Sequence, residues 1–477
     1  MEKAWANSGG DLHLELAGPR LRAALESALR DAIRAGRLGA SVRLPSSRVL
    51  AHDLGISRNT VAAAYVSLVA EGWLTARQGS GTRVAARAVA PDESSAHVVR
   101  DANRIRFDLR AGAPDIANFP RAGWLAAARR ALAVAPSEAL GYGDPRGRVE
   151  LRRSLADYLS RARGVYADPD RIVICSGFAQ GLVLLCEALH VAGATTLATE
   201  AYCHPGHRDA IAASGLRPTP VEVDADGAAV SQFGDADAAL LTPAHQFPLG
   251  YALAAERRTG AVEWAGRTSG LIIEDDYDGE FRYDRHPVGA MQALAPEHIA
   301  YAGTASKSLA PGLRLGWLVL PERLIAETAA AKILTGGPST LEQLTLAEFI
   351  TSGAYDRHVR RSRLVYRRRR DALVAALHRH VPEAQITGIV AGLRVVVELP
   401  EGLHEDDVVA HARRHGLALE GLGAYSGAAG ERGPALVVGY GTPPEHAFDS
   451  AIATLCAVLG SRAASHVAAD ARRPIDG

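Results

Sequence analysis

The sequence predicts an α/β protein in two parts, a small helical head that ends in a β-hairpin and a larger domain built on a mostly parallel sheet. The chain has 477 residues, which is more than a single core usually serves, because cores tend to divide above about 250–300 residues. Apolar residues recur at the helical spacing in the first part of the chain. In the remainder, strand-like apolar runs alternate with helical stretches, which is typical of a parallel sheet covered by helices.

The head is predicted over residues 12–85 as a winged helix-turn-helix. The apolar positions that follow Pro19 have the period of an amphipathic helix. Ser46 and Ser57 then stand where helix N-caps are needed, and Gly55 separates the two helices that they begin. Two short helices joined by a glycine-containing turn form a helix-turn-helix.

A small β-wing and a linker follow the helices of the head. Trp73–Thr75 and Thr82–Val84 predict two strands, and the glycine-rich turn Gln78–Gly81 joins them. Residues 86–103 lose periodicity and collect Ala, Pro, Asp, Glu and Ser, so a linker is expected there.

The larger domain is expected over residues 104–465. Six apolar runs predict the strands of its sheet, at Ile172–Cys175, Thr196–Thr199, Ala238–Thr242, Leu271–Glu274, Ile299–Gly303 and Gly316–Leu320. A smaller α/β subdomain is expected over about 385–465, with strands at Leu393–Glu398 and Leu436–Tyr440.

Charge and cysteine content indicate the kind of partner and the compartment. The 53 basic and 53 acidic residues cancel over the whole chain, but residues 20–87 hold eleven arginines against four acidic residues. This local excess predicts an anionic partner for the head alone. The four cysteines show neither metal-ligand spacing nor a paired framework, which favours a reduced chain. The sequence shows no signal peptide and no bilayer-spanning apolar run, so a cytoplasmic protein without a membrane partner is expected.

The partner predicted for the head is double-stranded DNA. Arg58 and Asn59 occupy the first turn of the second helix of the motif, which reaches base edges in the major groove. Arginine pairs with guanine and asparagine with adenine. The residues expected at the DNA, in this helix, the preceding helix and the wing, are Arg43, Ser46, Arg48, Ser57, Arg58, Asn59, Thr60, Arg77, Gly79, Gly81 and Arg83. The alternative is a small helical bundle for protein contacts, with arginines that are only solvated.

The string YAGTASKSLAPGLRLGW, residues 301–317, indicates a site for an aldehyde cofactor that carries a phosphate. Lys307 follows a strand and is expected to form a Schiff base with pyridoxal phosphate. Thr304, Ser306 and Arg314 are expected at the phosphate, where Arg314 supplies charge-assisted hydrogen bonds. Taken alone, a Ser-Lys pair would more often be a surface feature, but further strings support the cofactor.

The string LIIEDDYDGEF ends an apolar strand in a cluster of carboxylates. Asp275 is expected to pair with the pyridinium nitrogen of the cofactor and Tyr277 to donate to its ring hydroxyl. A metal site built from Glu274, Asp275 and Asp276 is the alternative. No histidine ligand pattern accompanies these carboxylates, so no metal is expected.

The string VICSGFAQGL, residues 173–182, is typical of a strand, a tight turn and a helix start. The N–H groups of a helix N-terminus can bind phosphate without charged side chains. Phe178 and Ala179 are therefore expected at the phosphate through their backbone. Such a junction is common and indicates little alone, but it gains weight from its order with the carboxylate and lysine strings.

These strings together resemble known families. RLPSSRVLAHDLGISRNT and GWLTARQGSGTRV look like the DNA-binding domain of the GntR family, and about 105–460 resembles the fold-type I aminotransferases. The combination is similar to the MocR-type regulators over nearly the full chain, and TPAHQFPLG and EDDYDGEFRYD look like strings of that family. The resemblance implies a DNA-binding homodimer with cofactor sites at the subunit interface. DNA binding would be tuned by an amino acid, an amine or the cofactor itself.

Several positions depart from active aminotransferases. Phe247-Pro248 stands where those enzymes have an Asn-Pro pair at the ring hydroxyl, and His204 stands where an aromatic ring stacks on the cofactor. Imidazole offers a smaller stacking surface than Tyr or Trp. The strand Leu436–Tyr440 lacks the arginine that holds a substrate α-carboxylate, and Arg394 is the candidate replacement from another strand.

The missing arginine predicts that an α-amino acid is a poor effector and that full transamination is not retained. The leading hypothesis is a transcription regulator whose ligand is pyridoxal phosphate, as in the vitamin B6-regulating branch of this family, controlling genes of vitamin B6 or of amino-acid and amine metabolism. Two alternatives stay open. One is an aminotransferase for an amino acid or amine with an accessory DNA-binding head, and the other is a binding module whose pocket no longer takes the cofactor.

Overall fold

The computed structural model of the chain describes residues 21–77, 81–85, 105–283, 288–427 and 432–470. Side chains are described in these ranges except at Arg77 and at 461–470. The chain divides into two compact units, Met1–Asp101 and Ala102–Gly477, and each has its own hydrophobic core. The predicted linker, residues 86–103, and the first predicted residues of the head, 12–20, lie outside the described residues.

The first unit has the three helices and the hairpin expected of the head. Its elements are α1 (Leu21–Arg34), α2 (Ser47–Leu54), α3 (Arg58–Ala70), β1 (Leu74–Arg77) and β2 (Gly81–Val84). The two predicted N-caps are confirmed, since Ser46 Oγ accepts from the backbone N–H of Val49 at 3.3 Å and Ser57 Oγ from that of Thr60 at 3.1 Å. Gly55 ends α2 in the left-handed region that glycine favours, at φ 66°.

The second unit is built from ten helices and fifteen strands in its described part. The helices are α4 (Arg121–Val134), α5 (Val149–Arg163), α6 (Phe178–Val191), α7 (Pro205–Ala213), α8 (Ala255–Thr268), α9 (Ile325–Thr335), α10 (Thr340–Thr351), α11 (Ala354–His380), α12 (Glu405–Arg414) and α13 (Glu445–Asp470). The strands are β3 (Phe107–Asp108), β4 (Ile172–Cys175), β5 (Thr196–Glu200), β6 (Arg217–Val221), β7 (Val223–Asp224), β8 (Gly227–Ala228), β9 (Ala238–Leu241), β10 (Leu271–Asp275), β11 (Ile299–Thr304), β12 (Gly316–Val319), β13 (Gln385–Thr387), β14 (Arg394–Glu398), β15 (Leu417–Ala418), β16 (Glu420–Gly421) and β17 (Ala435–Gly439).

A seven-stranded sheet forms the centre of this unit, in the order β4-β12-β11-β10-β9-β5-β6. Only β12 runs antiparallel to its neighbours, so the prediction of a mostly parallel sheet is confirmed. All six predicted strands are in this sheet. The seventh, β6, was not predicted, because Pro218 and Pro220 interrupt its sequence; prolines cannot donate to a ladder and are tolerated at the edge position that β6 occupies.

The predicted C-terminal subdomain has a four-stranded sheet in the order β13-β14-β17-β16. The strands expected near 393–398 and 436–440 are β14 and β17, which pair antiparallel with Arg394 opposite Gly439. Helices α11, α12 and α13 supply buried side chains to the core beside this sheet. Among the described residues, no helix is both long enough and apolar enough to cross a bilayer.

The topology brings polar residues to one edge of the large sheet. Glu200 ends β5, Asp275 ends β10 and Thr304 ends β11, and these strands run parallel through β9. Parallel strands present their carboxyl ends at the same edge, where open α/β sheets bind ligands. The segment from β11 to β12, which contains Lys307, begins at this edge.

Candidate cofactor cavity and nucleic-acid surface

A cavity of about 720 Å³ lies at this carboxyl edge. The residues predicted for the cofactor all line it, namely Phe178, Ala179, His204, Asp275, Tyr277, Thr304, Ser306, Lys307 and Arg314. They come from five separate segments of the chain, so their convergence is a property of the fold. A volume of this size is typical of a site for a small ligand or cofactor.

Lys307 is the amine of the cavity. Its Nζ donates to the carbonyl oxygen of Gly112. Burial lowers the pKa of Lys307 from its usual range, although the carboxylates of Asp275 and Asp278 oppose that effect. A lowered pKa increases the fraction of neutral amine, which is the nucleophilic form.

One end of the cavity is shaped for an anion. Helix α6 begins at Phe178, directly after Gly177, whose φ of 88° requires glycine. A Cβ on Gly316 would stand 2.8 Å from the Cα of Gly177, so both glycines permit a close backbone approach. The guanidinium of Arg314 is 3.8 Å from the position of a Cβ on Gly177. Within the described ranges Arg314 has no hydrogen-bond or ion-pair partner, so the cation and the helix N-terminus are both available to an anion.

Two hydroxyl groups stand beside this anion subsite. Thr304 Oγ1 and Ser306 Oγ are 2.8 Å apart, and Thr304 Oγ1 also accepts from the backbone N–H of Ser306 at 3.1 Å. This local bonding fixes both side chains at the start of the segment that carries Lys307. They line the same cavity as Arg314.

Asp275 lines the cavity and has a buried acceptor oxygen that is not satisfied within the described residues. Its side chain is 4% exposed, and in the described part of the chain its Oδ1 has no hydrogen-bond partner. Burial, with the neighbouring charge of Asp276 as the next cause, raises the pKa of Asp275 well above its usual value. A buried carboxyl oxygen without a donor costs free energy unless a ligand supplies one.

The other two carboxylates of the predicted cluster have partners of their own. Glu274 accepts from the backbone N–H groups of Met291 and Gln292, both at 2.9 Å. Asp276 accepts two hydrogen bonds from Arg163, at 2.7 and 3.0 Å. The described residues contain no group of three candidate metal ligands. The alternative of a metal site at these carboxylates therefore receives no support from their geometry.

Tyr277 lines the cavity, but its hydroxyl group is bonded to His245. It donates to the carbonyl oxygen of His245 at 2.8 Å and lies 3.2 Å from the Nδ1 of the same residue. Nδ1 is itself 2.8 Å from Asp278 Oδ2. The predicted role, donation to a cofactor ring hydroxyl, would require the Tyr277 proton to leave this carbonyl. The contribution of Asp278 could not be predicted from the sequence, because Asp278 is only one more carboxylate in an acidic string.

His204 has a structural role as well as the predicted place at the cavity. It is the N-cap of α7, and its Nδ1 accepts from the backbone N–H of Gly206 at 3.1 Å. Burial and the charge of Lys307 lower the pKa of His204, which favours the neutral ring that the cap needs. His207 lies beside it, with ring centroids 5.2 Å apart, and burial lowers the pKa of His207 to about 3.

Sequence reasoning missed His207 and Glu200 as lining residues. Glu200 accepts from Thr242 Oγ1 at 2.5 Å and from Gln246 Nε2 at 3.1 Å, and burial raises its pKa to about 7. The available signal for Glu200 was its place at the end of a predicted strand. Nothing in the spacing of the sequence identified His207, because its contact with Phe178 at 4.8 Å joins distant segments.

The structure does not support the hypothesis that Arg394 replaces the missing carboxylate arginine. Its Nε donates to the carbonyl oxygen of Pro248 at 3.0 Å and its Nη2 to that of Gln246 at 2.8 Å. The guanidinium also stacks on Phe247, 4.5 Å from the ring centroid. Arg394 is buried and is not among the residues that line the cavity, because these carbonyls hold it within the protein.

The first unit exposes part of the predicted DNA-binding set. Arg48, Arg58 and Asn59 are exposed, with the last two in the first turn of α3. Ser46 and Ser57 serve as N-caps. The hydroxyl of Thr60 is 2.8 Å from that of Ser57, so its first role is to support the same cap.

The remaining predicted residues lie in the wing or, in the case of Arg43, against it. The guanidinium of Arg43 crosses over Gly81, whose φ is 82° and whose added Cβ would lie 3.0 Å from Arg43 Nε. Arg83 is exposed and donates to the carbonyl oxygen of Ser41 at 2.9 Å. The side chain of Arg77 and all of Gly79 lie outside the described residues.

Comparison with known proteins identifies both units. Residues 105–402 match the family described as aminotransferase class I and II, and residues 21–84 match the bacterial regulatory proteins of the gntR family. The first match spans more than half of the chain, so the larger unit defines the protein as a member of the aminotransferase class I and II family, with a GntR-type DNA-binding head.

The relatives narrow the class to one family of regulators. The chain is 34% identical over 413 residues to the probable rhizopine catabolism regulatory protein MocR of Rhizobium meliloti, covering 80% of this chain and 82% of that protein. It is 32% identical over 426 residues to the HTH-type pyridoxine biosynthesis transcriptional regulator PdxR of Corynebacterium glutamicum, covering 88% of this chain and 92% of that protein. The chain belongs to the MocR-type family of DNA-binding transcription regulators.

A solved structure supports the fold of the larger unit. The α-aminoadipate aminotransferase of Thermus thermophilus, complexed with N-(5'-phosphopyridoxyl)-L-leucine, matches with a TM-score of 0.67 and 24% identity. The match covers 76% of this chain and 94% of that enzyme. The predicted architecture, a winged helix-turn-helix head followed by a fold-type I aminotransferase-like domain, is confirmed.

Proposed function

We propose that this regulator binds pyridoxal phosphate in the cavity through Lys307, and that the bound cofactor sets the affinity of the head for operator DNA. The observation that carries the proposal is the unpartnered Oδ1 of buried Asp275 in the same cavity as the buried amine of Lys307. When bound, this cofactor supplies an aldehyde for an amine, a protonated ring nitrogen and a phosphate dianion.

The residues of the cavity fit each of these groups. Asp275 would accept from the ring nitrogen, which supplies the donor that its Oδ1 lacks. Arg314 and the N-terminus of α6, at Phe178 and Ala179, would hold the phosphate beside Thr304 and Ser306. His204 would lie against the ring and Tyr277 near its hydroxyl group. Buried carboxylate and charged donors stabilise such groups strongly because little water screens them.

Full turnover of an amino acid is not part of the proposal. The strand β17 has no arginine, and the guanidinium of Arg394 is bonded to Gln246 and Pro248. An α-carboxylate would therefore enter without the bidentate partner that orients it. Control of vitamin B6 genes fits this ligand, and one relative, in Corynebacterium glutamicum, is a pyridoxine biosynthesis regulator.

The proposal includes a cytoplasmic homodimer. The MocR-type family membership supports an arrangement in which two heads engage two half-sites of one operator, since dimeric helix-turn-helix proteins read paired half-sites. The exposed apolar side chains Leu140, Tyr142 and Leu334 of the larger unit are consistent with a covered subunit face.

An operator-binding titration tests the proposal. The DNA would be a fragment that the protein selects from genomic DNA, and its affinity would be measured with and without pyridoxal phosphate. We expect the cofactor to shift the affinity of the wild-type protein and to leave that of Lys307→Ala unchanged. If an amino acid shifts the affinity while the cofactor alone has no effect, the proposed signal is wrong.

The attachment point is tested by reduction and peptide mapping. The chain has only three lysines, Lys3, Lys307 and Lys332. Borohydride should fix the cofactor on Lys307, with Lys3→Ala as the matched control that keeps the label. A loss of the visible absorbance when an amino acid is added, with formation of a keto acid, would instead favour the aminotransferase alternative.

A further inference from the structure

Three charged side chains and a tyrosine line the cavity apart from the residues assigned to the cofactor. Asp108, Arg110, Glu420 and Tyr425 belong to this group, which we call the charged rim. Asp108 and Arg110 come from the beginning of the second unit, and Glu420 and Tyr425 come from the C-terminal subdomain. The proposed function leaves the rim without a role.

The arginine of the rim is already paired. Arg110 Nε donates to Asp108 Oδ1 at 3.0 Å and its Nη2 to Asp108 Oδ2 at 2.7 Å. The pKa of Asp108 is lowered overall. Burial alone would raise this pKa, but the hydrogen bonds and the positive charge of Arg110 have the larger combined effect. The two side chains therefore form a bidentate ion pair without net charge.

Glu420 is a second carboxylate near Arg110, so the rim carries two negative charges and only one positive charge. One of its carboxylate oxygens, Oε2, accepts from the hydroxyl of Tyr425. Within the described residues its Oε1 has no hydrogen-bond partner. The ring of Tyr425 packs at 5.2 Å against Phe247, another cavity residue, which fixes the orientation of the hydroxyl.

The other arginines near this end of the cavity are bound to backbone carbonyls. Arg394 is bonded to Gln246 and Pro248. Arg208 donates to the carbonyl oxygens of Tyr425 at 3.0 Å and Ser426 at 2.9 Å. A ligand carboxylate would have to displace Asp108 from Arg110, and it would then lie beside Glu420. A ligand ammonium group meets an available carboxylate oxygen without displacing anything.

We propose that the cavity takes a second ligand, a primary amine that carries another positive charge at its far end and has no carboxylate. The inference rests on the proposed function, because the amine would compete with Lys307 for the aldehyde of the bound cofactor. Its far ammonium group would pair with Glu420 at the rim. The nitrogen of the ligand would take the place of the Lys307 nitrogen on the carbon of that aldehyde, and the two N–H protons that the ligand loses would end on Lys307, which is left as a free amine.

Three ligands of equal chain length test the class. The probes are 1,5-diaminopentane, 5-amino-1-pentanol and 5-aminopentanoate, which differ only in a terminal ammonium, hydroxyl or carboxylate group. Each would be titrated into the full-length protein loaded with pyridoxal phosphate, and the change of the visible spectrum would give an apparent affinity. We expect the apparent affinity to be highest for the diamine, lower for the amino alcohol and lowest for the amino acid. The reverse order would overturn the inference.

A variant that removes the charge of Glu420 tests whether this residue binds the far ammonium group. Glu420→Gln should lower the preference for the diamine over the amino alcohol by about tenfold, the size expected for a hydrogen bond to a charged group in a partly screened site. Glu401→Gln, at an exposed position outside the cavity, is the matched control and should leave the preference unchanged. An unaltered preference in Glu420→Gln would overturn the assignment.

The same titration separates the two proposals. A protein that acquires no visible absorbance with pyridoxal phosphate would contradict the proposed function itself. A loaded protein that binds 5-aminopentanoate best would keep the proposed function and contradict the amine class. Asp108→Asn provides a second test, because release of Arg110 should improve the affinity for 5-aminopentanoate relative to the diamine.

Discussion

At the scale of single residues, Asp275 has the most direct consequence for ligand binding. Its buried Oδ1 lacks a donor in the described part of the chain. A protonated ring nitrogen could therefore donate a hydrogen bond to it without breaking one within the protein. We expect Asp275→Asn to weaken pyridoxal phosphate binding by about tenfold to a hundredfold, the range for a lost hydrogen bond between charged groups. A spectroscopic titration measures this, with the exposed Asp226→Asn as control. Equal affinities in all three proteins would contradict the assignment.

Glu280 is a buried carboxyl group outside the cavity, and its raised pKa predicts how the stability of the protein depends on pH. Burial, and then the charge of Asp276, raise the pKa of Glu280 to about 7 from an ordinary value of 4.5. The folded state therefore holds this proton more tightly than the unfolded state. The associated stability is fully present below about pH 4.5 and is lost as the pH rises through about 7, a change of roughly 3 kcal/mol.

The corresponding prediction concerns Glu280→Gln. The amide keeps an oxygen that can accept from Tyr355, which lies at 3.2 Å, and it cannot ionise. The melting temperature of the variant relative to the wild-type protein should therefore be higher at pH 8 than at pH 5. Glu200 and Glu274 titrate in both proteins, so their contributions cancel in the comparison. If the difference in melting temperature between the variant and the wild-type protein does not change with pH, the raised pKa of Glu280 is contradicted.

At the scale of elements, helix α3 separates folding from recognition. Ser57 caps the helix, whereas Asn59 is exposed in its first turn without serving as a cap. We expect Ser57→Ala to destabilise the head by about 1 kcal/mol and Ser57→Asn to restore most of that loss. Asn59→Ala should leave the melting temperature unchanged and reduce discrimination between operator and altered sites, by about 1–3 kcal/mol at one base pair. Thermal melting and competition binding measure the two effects.

A second prediction at this scale concerns the junction between β4 and α6. A Cβ on Gly316 would lie 2.8 Å from the Cα of Gly177, closer than carbon atoms pack. Gly316→Ala should therefore displace the N-terminus of α6 and weaken binding of pyridoxal phosphate or inorganic phosphate at least tenfold, because N–H groups must converge to hold the anion. Gly312→Ala is the control, since its added Cβ would meet open space. Similar phosphate affinities in both variants would show that this close approach is not required.

At the scale of the whole molecule, the two units have separate cores and separate chemistry. The head buries its own cluster around Leu25, Leu29 and Leu68. A fragment of residues 1–101 should therefore fold and bind DNA with an affinity that falls steeply with salt, because arginines that neutralise phosphates release counterions. It should give no response to pyridoxal phosphate, whereas residues 102–477 should bind the cofactor and no DNA. Fluorescence anisotropy over a range of salt concentrations tests both fragments.

Much of the architecture could be predicted from local sequence. The six strands of the large sheet are apolar runs of strand length, and the head repeats helical spacing between serine caps, so each element was encoded within a few residues. The lysine and carboxylate strings likewise identified Lys307, Arg314 and Asp275 as cavity residues, because the fold brings the ends of parallel strands to one edge. Strand β6 could not be predicted, since its two prolines conceal an edge strand.

The sequence by itself therefore determined the fold class, the DNA-binding head and the residues that surround a cofactor-sized cavity. Only the tertiary structure decided what each charged group of that cavity is free to do. Arg394 looked available in the sequence, but two backbone carbonyls hold it, and Arg110 is held by Asp108. Arg314 has no such partner among the described residues. The physical reason is that hydrogen-bond partners come from distant segments, and their geometry is fixed only when the chain is packed.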